Sequence, residues 1–390
     1  MSRASEATGR NDARLVPLAC AAIALVVSGM AVGMFLAAPD SNLTSLLRMA
    51  PEDPIVGVAQ QLEPDLRFVP AGHYDGVYYY AIAIDPLARG EAHGLIDLAS
   101  HRYGHPGYGW LGWVASLGNP QWVPQALLLL SLLGVAVAAY VTSLIATHLG
   151  ATPWAGLIAA LNPGLVFAVT TDTSEAATAG LLGVALYLWI KDRRTIAYWL
   201  LAALCFFKFQ MILVPVGLAL WELAVYARGR RDRATPKTIA LLAIGPVLFI
   251  AWMVYLRGRL GDLPISGGPE FLSLPFVGWF DTLSDLSKIA LMNFQDVQIA
   301  SAQLPIVVCL LALFTIAVAL ATRLRHPLDG VFLLQGLFVL LLNWWNLFYP
   351  KDMLRALAIP IPLLIAVLYI GRRAISDRDG NQATSQGFLE

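Results

Sequence analysis

The chain has 390 residues, of which 58% are hydrophobic and only 13% charged, about half the charged share of a soluble domain. So little charge cannot clothe a soluble surface of this size, and the composition is that of a polytopic membrane protein. Lys and Arg total 26, as do Asp and Glu, which excludes the basic field that nucleic acid requires.

The first apolar run, 15–38, follows Arg3, Arg10 and Arg14. It is too long for the core of a signal peptide and reads as an uncleaved anchor behind a cytoplasmic tail, 1–14. A polar stretch, 39–121, comes next. Further runs cover 122–147, 153–170, 176–190, 196–226, 238–256, 304–322, 328–348 and 353–370. As a single helix the run 196–226 would be ~46 Å long, too long for a simple crossing. The loops 191–194 and 228–237 are both basic and belong on the cytoplasmic side. That parity divides the run into two passes with Lys208 at the apex. The predicted fold class is therefore all-α with about ten spans, both termini cytoplasmic, and long external loops at 39–121 and 257–303. Segments 106–118, 271–280 and 283–294 are too short to cross and read as interfacial. Residues 15–371 are expected as one membrane domain, and 372–390 as a disordered cytoplasmic tail. Cys20, Cys205 and Cys309 fall inside apolar runs without metal-site spacing and read as small buried side chains.

The polar residues that could carry chemistry gather on the external side. The string GHYDGVYYYAIAIDP supplies His73, Tyr74 and Asp75; farther on stand His101, Arg102 and His105, then Asp172 and Glu175 in TTDTSE, Lys208, and Lys351, Asp352 and Arg355. The cytoplasmic loops hold no phosphate-binding glycine loop, so an enzyme of this design draws its substrate from outside or from the lipid. Asp75, partly desolvated on a tight turn beside Gly76, can act as general base on a hydroxyl. Capping the helix that follows is its alternative role. Lys208 and Arg355 can meet phosphate charge at a low-dielectric boundary, or snorkel and anchor there; Lys351 and Arg102 are secondary to them. Asp172 and Glu175 bind acceptor hydroxyls, assist Asp75, or cap and charge a helix start, with Asp172 or Thr173 as the cap. His73 either touches substrate, orients Asp75 or is solvated. His93, Asp97, His101 and His105 recur like the metal-binding face of a helix, but Gly94, Gly104 and Pro106 interrupt it. No metal is assigned and no cofactor is certain.

One span followed by a long external loop that opens on an acidic motif resembles the GT-C membrane glycosyltransferases, which use polyprenyl-phosphate sugars. The string YDGVYYYAIA is similar to the first-loop motif of their bacterial members, related to the GPI and protein O-mannosyltransferases, in which the Asp is the catalytic base. HRYGHPGYGWLGWVASLG is similar to the family's R…YP…W segment before the second span, with His105–Pro106 where an aromatic–Pro pair is commoner. The resemblance covers about residues 15–226, and the last third only in topology. Many members carry an adjacent acidic pair, whereas Gly76 follows Asp75 here, so a metal site built on a pair is not carried over. The resemblance implies inverting transfer of a hexose, mannose first, to a glycan or glycolipid acceptor on the outer face of a bacterial plasma membrane. Asp75 would be the base, with His73, Tyr74, Arg102, His105, Asp172 and Glu175 around the substrate and Lys208, Lys351 and Arg355 on the donor phosphate. A transporter or flippase of a lipid-linked sugar is the alternative, although the chain shows no internal repeat and little midplane charge. A non-catalytic scaffold would leave the external carboxylates and cations without a role.

Overall fold

The computed structural model describes residues 3–69, 73–229, 236–265, 271–291 and 297–372; the tail from 373 onward and the end of the segment 283–294 lie outside them. Among the described residues the regular elements are all helical, and Leu272 and Leu342 form an isolated bridge. In chain order the helices are α1 (Arg3–Leu36), α2 (Val56–Leu62), α3 (Gly76–Ile84), α4 (Ala99–Tyr103), α5 (Gly107–Ala115), α6 (Val123–Leu149), α7 (Leu157–Ala160), α8 (Pro163–Val169) and α9 (Glu175–Ile190). There follow α10 (Arg194–Leu204), α11 (Leu213–Ala227), α12 (Pro236–Leu242), α13 (Ile244–Leu260), α14 (Val277–Leu291), α15 (Val297–Ala321), α16 (Pro327–Leu340), α17 (Trp344–Phe348), α18 (Pro350–Ala358) and α19 (Pro360–Arg372). The chain divides into two compact units, Met1–Pro215 with Ala240–Pro269, and Val216–Ile239 with Glu270–Glu390.

The faces of α1 show why this is a membrane protein. Cys20, Ala24, Ser28 and Val32, one every fourth residue, are buried, while Leu18, Leu25, Met30 and Met34 are exposed. Small residues turned inward and large apolar ones turned outward suit a helix with lipid on its free side. The inward stripe packs against α6. On its other side α6 meets α9 at closest range, where a Cβ on Gly134 would lie 2.5 Å from the Ala176 carbonyl oxygen and one on Gly180 2.7 Å from Gly134 O. Only hydrogen fits at either position. Cys309 departs from expectation, being exposed on an apolar face of α15 that also carries Ile306, Leu313 and Ile316.

Among the described residues five helices are long and apolar enough to cross a membrane, within Leu15–Leu36, Pro120–Leu149, Phe209–Ala227, Pro236–Leu260 and Gln298–Ala321. A sixth would be the pair α18 and α19, bent by 55°. The remaining apolar stretches are interrupted by residues that start new helices. Stretch 153–170 breaks at Asn162–Pro163, where Asn162 Oδ1 accepts the N–H groups of Gly164 and Leu165 at 3.0 and 3.4 Å and Pro163 takes the first helical position. Stretch 328–348 breaks before Asn343, which caps α17. In 196–226 the helix is interrupted, with Lys208 in extended backbone (φ −155°) between α10 and the turn leading into α11. At 11 residues, α10 spans only ~17 Å. The helix α1 begins at Arg3, ahead of the apolar segment that starts at Leu15. Segment 106–118 does form the short helix α5, with Trp113, Val114 and Leu117 exposed.

Candidate active site

The residues that gather into a site come from three loops of the first unit: the stretch before α3, the α4 region and the turn between α8 and α9. Gly76 locks two of them together. A Cβ at this position would stand 2.6 Å from Thr171 O and 2.7 Å from Leu47 O, so a side chain here would force the loops apart. The turn is further tied by the Tyr74 N–H, which donates to Arg48 O at 3.0 Å, and by the Tyr74 ring edge-on to Phe167. Gly76 thus serves close packing, and Asp75 is presented by a turn with almost no room to shift.

Capping is not the role of the Asp75 side chain. Its backbone carbonyl accepts from Tyr78 at 3.1 Å, but the carboxylate makes no cap bond to α3. Asp75 Oδ1 instead accepts from Arg102 Nη1 at 3.2 Å, and the side chain keeps 25% of its surface exposed. Arg102 is held on two more sides. Its guanidinium lies 3.7 Å from the centroid of the Tyr78 ring, and its Nε is 3.4 Å from Asp97 Oδ1. An Arg fixed by a ring and two carboxylates is part of a preformed site, and the solvated-loop role for Arg102 is set aside.

His73 is also held. Its Nδ1 lies 2.6 Å from Asp53 Oδ1, and its Nε2 lies 2.9 Å from the Tyr78 hydroxyl. Asp53 is buried, and its other oxygen accepts the Ala50 N–H at 2.8 Å. Burial pushes the Tyr78 phenol above its ordinary pKa, with the Arg102 charge opposing.

A second acid–cation pair stands behind the first. Lys208 Nζ donates to Glu175 Oε1 at 2.6 Å, with Glu175 fully buried and Lys208 17% exposed. Between the pairs sit His101 and His105, ring centroids 5.6 Å apart, both packed on Phe209. His101 Nδ1 donates to Pro264 O at 3.3 Å, while His105 Nδ1 is buried without a hydrogen-bond partner. Burial, then the neighbouring His101, Lys208 and Arg102, lower the pKa of His105 to about 3, against the opposing charge of Asp75. His105 is therefore a neutral imidazole where the fields of both pairs overlap. Tyr79 closes this floor by donating to Ser174 Oγ at 2.9 Å.

Asp172 does not cap α9. It is fully buried, its backbone is left-handed (φ 45°), and both carboxylate oxygens lack a hydrogen-bond partner. Ser174 rather than Asp172 precedes α9. Burial raises the Asp172 pKa well above the carboxylate range, with Arg48 opposing. Arg48 donates from Nε and Nη2 to Thr170 O, both at 3.3 Å, and lies over the Phe35 ring at 4.0 Å.

Of the residues singled out from the sequence, His73, Tyr74, Asp75, Arg102, His105, Asp172 and Glu175 belong to the first unit and to these loops, and Lys208 joins them from the break between α10 and α11 of the same unit. Lys351 and Arg355 lie on α18 of the second unit. The four-residue recurrence dissolves into separate partnerships: His93 bonds Asp85 at 2.9 Å, Asp97 pairs with Arg102, and His101 donates to a carbonyl. Among the described residues no His, Cys, Asp and Glu cluster has a metal-binding arrangement. Sequence reasoning missed Arg48, Asp53 and the role of Tyr78. An Arg set between Leu46–Leu47 and Met49–Ala50 is a visible anomaly, whereas nothing in sequence spacing couples Asp53 to His73. No protein-family model matches the chain, and a search of curated proteins found no match.

Proposed function

We propose that the chain is an integral-membrane glycosyltransferase of the GT-C type with about ten passes. It would transfer a hexose from a polyprenyl phosphate to a glycan or glycolipid acceptor on the extracytoplasmic face. The observation that carries this reading is the Asp75 carboxylate, which is freed from helix capping, held by Arg102 and still partly open to a reactant. In the step proposed, the acceptor oxygen bonds to the anomeric carbon as the carbon–oxygen bond to phosphate breaks, and that electron pair leaves on the phosphate. Asp75 accepts the acceptor's proton. The sugar inverts because no enzyme nucleophile intervenes, and the transition state is oxocarbenium-like. Charge growing on the leaving phosphate is met by Lys208, which keeps donors to spare while bonded to Glu175. Lys351 and Arg355 are not drawn into this step.

Transfer of labelled sugar from a panel of polyprenyl-phosphate hexoses to membrane acceptors, by wild type and Asp75→Asn side by side, tests the proposal. Loss of turnover with donor binding retained is the expected result. Equal turnover in both removes Asp75 as the base. Movement of sugar lipid across liposomes without transfer would replace the transferase by a flippase.

A further inference from the structure

The loop that follows α3 carries a charge cluster outside the candidate site. Asp85 holds the loop together: its Oδ1 accepts the N–H groups of Arg89 and Gly90, both at 2.8 Å, and its Oδ2 faces His93 Nδ1 at 2.9 Å. The loop then docks on the last turns of α13, within the same compact unit. The Tyr255 hydroxyl donates to Leu87 O at 2.8 Å, Arg259 Nε donates to Ala88 O at 2.8 Å, and Arg89 Nε donates to the Tyr255 hydroxyl at 3.4 Å. Arg89 and Arg259 therefore flank one tyrosine, and each is fastened through Nε alone. A guanidinium has five N–H donors in a rigid fork, so each arginine keeps both terminal nitrogens to spare. Among the described residues neither forms an ion pair, and both are exposed. The one carboxylate in the loop that is buried, Asp85, is taken up by the loop's own N–H groups and His93.

We propose that Arg89 and Arg259 form a binding site for the phosphate headgroup of an anionic membrane lipid. Position and charge both point to that occupant. Arg259 stands in the last turn of the segment Pro236–Leu260, which is long and apolar enough to cross a membrane, so it lies at the boundary where headgroups sit. Below it Val247, Ile250 and Val254 of α13 are exposed, as is Leu87 of the docked loop, and they offer apolar surface to an acyl chain. Two forked cations fixed on either side of Tyr255 present several N–H groups to one phosphate, the geometry in which arginine binds that anion best. The negative end of α13 accounts for a cation at Arg259, but not for Arg89, which comes from another segment. The inference does not involve Asp75 and stands whether or not the chain transfers sugar.

The test titrates phosphatidylglycerol against the full chain in a phosphatidylcholine background and counts retained lipid by native mass spectrometry. Wild type should retain phosphatidylglycerol in preference to phosphatidylcholine. Each arginine near a membrane surface contributes about a fivefold gain in attraction to anionic lipid, so the double variant Arg89→Gln with Arg259→Gln should lose roughly thirtyfold in affinity. The double variant Arg89→Lys with Arg259→Lys keeps both charges but not the Nε bonds that fasten the loop, and it should retain most of the affinity. Loss as large as in the glutamine pair would mean that the arginines only fasten the loop, and overturns the proposal. Arg257 lies ~200° around α13 from Arg259, so Arg257→Gln should cost less than either single glutamine variant. An equal cost would mean diffuse attraction to charge rather than a site. Displacement by inorganic phosphate as readily as by added phosphatidylglycerol would make the occupant a free anion, and overturns the lipid assignment. Equal retention of both lipids by wild type removes the site altogether.

Discussion

Two aspartates lie on turns that touch through Gly76, and each feels an arginine, yet the turns treat them oppositely. Asp75 is partly open, bonded to Arg102 and on ordinary helical backbone. Asp172 is sealed, left-handed and without a hydrogen bond to either oxygen. Arg48 spends donors on Thr170 O, so its charge reaches Asp172 without a bond to it. Burial with a bonded cation keeps a carboxylate charged and usable, whereas burial with only a distant cation makes its neutral form the stable one. At Asp172 burial outweighs the opposing charge of Arg48, whereas Asp75 keeps both solvent and a bonded cation.

The largest expected effect falls on the open turn. Asp75→Asn should lower sugar transfer by about 10²–10⁴-fold, the range of a general base, measured as initial rates at saturating donor. Next in size is the buried pair. Lys208→Met leaves Glu175 sealed without its cation and should cost roughly 3 kcal/mol of stability, read as a lowered melting temperature in detergent; adding Glu175→Gln should recover part of it. A full loss in the double variant would mean that the pair is not the source. Gly76→Ala should be milder in stability, about 1–3 kcal/mol for a forced contact, but should reduce transfer as well because it wedges the two turns apart.

The smallest effect belongs to the sealed turn and has a sign. Asp172 binds its proton more tightly folded than unfolded, so its contribution is complete below the unfolded carboxylate pKa of ~3.9. It is lost as pH rises through the raised folded pKa. Asp172→Asn keeps a neutral group and suits left-handed backbone. Wild type should lose thermal stability relative to this variant between acid and neutral pH. Parallel melting curves across that range would contradict the neutral carboxyl.

The Asp75 turn was legible because its signal is local: a carboxylate, a glycine and an aromatic run together inside the long polar stretch 39–121. The cations were legible as types but not as partners. Arg102 reads as loose loop charge in sequence, and only folding stacks it on Tyr78 and sets it between Asp97 and Asp75. Asp53 lies 20 residues from His73, across an irregular segment with no period to relate them. The apolar stretches were legible as helix, but their breaks were overridden by hydropathy. Asn162–Pro163 is a cap followed by a first-turn proline, and that pattern stops a span however greasy its neighbours are.

The glycine seam between α6 and α9 decides which walls of the site can move. With backbone seated on backbone at Gly134 and Gly180, α9 cannot slide or roll on α6 without a clash, and Glu175 at its first position is pinned in space. Lys208, bonded to Glu175, is moored to the same fixed wall. The opposite wall is carried by α4, five residues long and joined to neighbours by loops. Lys208 thus stands on the frame of the site, while Arg102 keeps its place through side-chain contacts to Tyr78, Asp97 and Asp75.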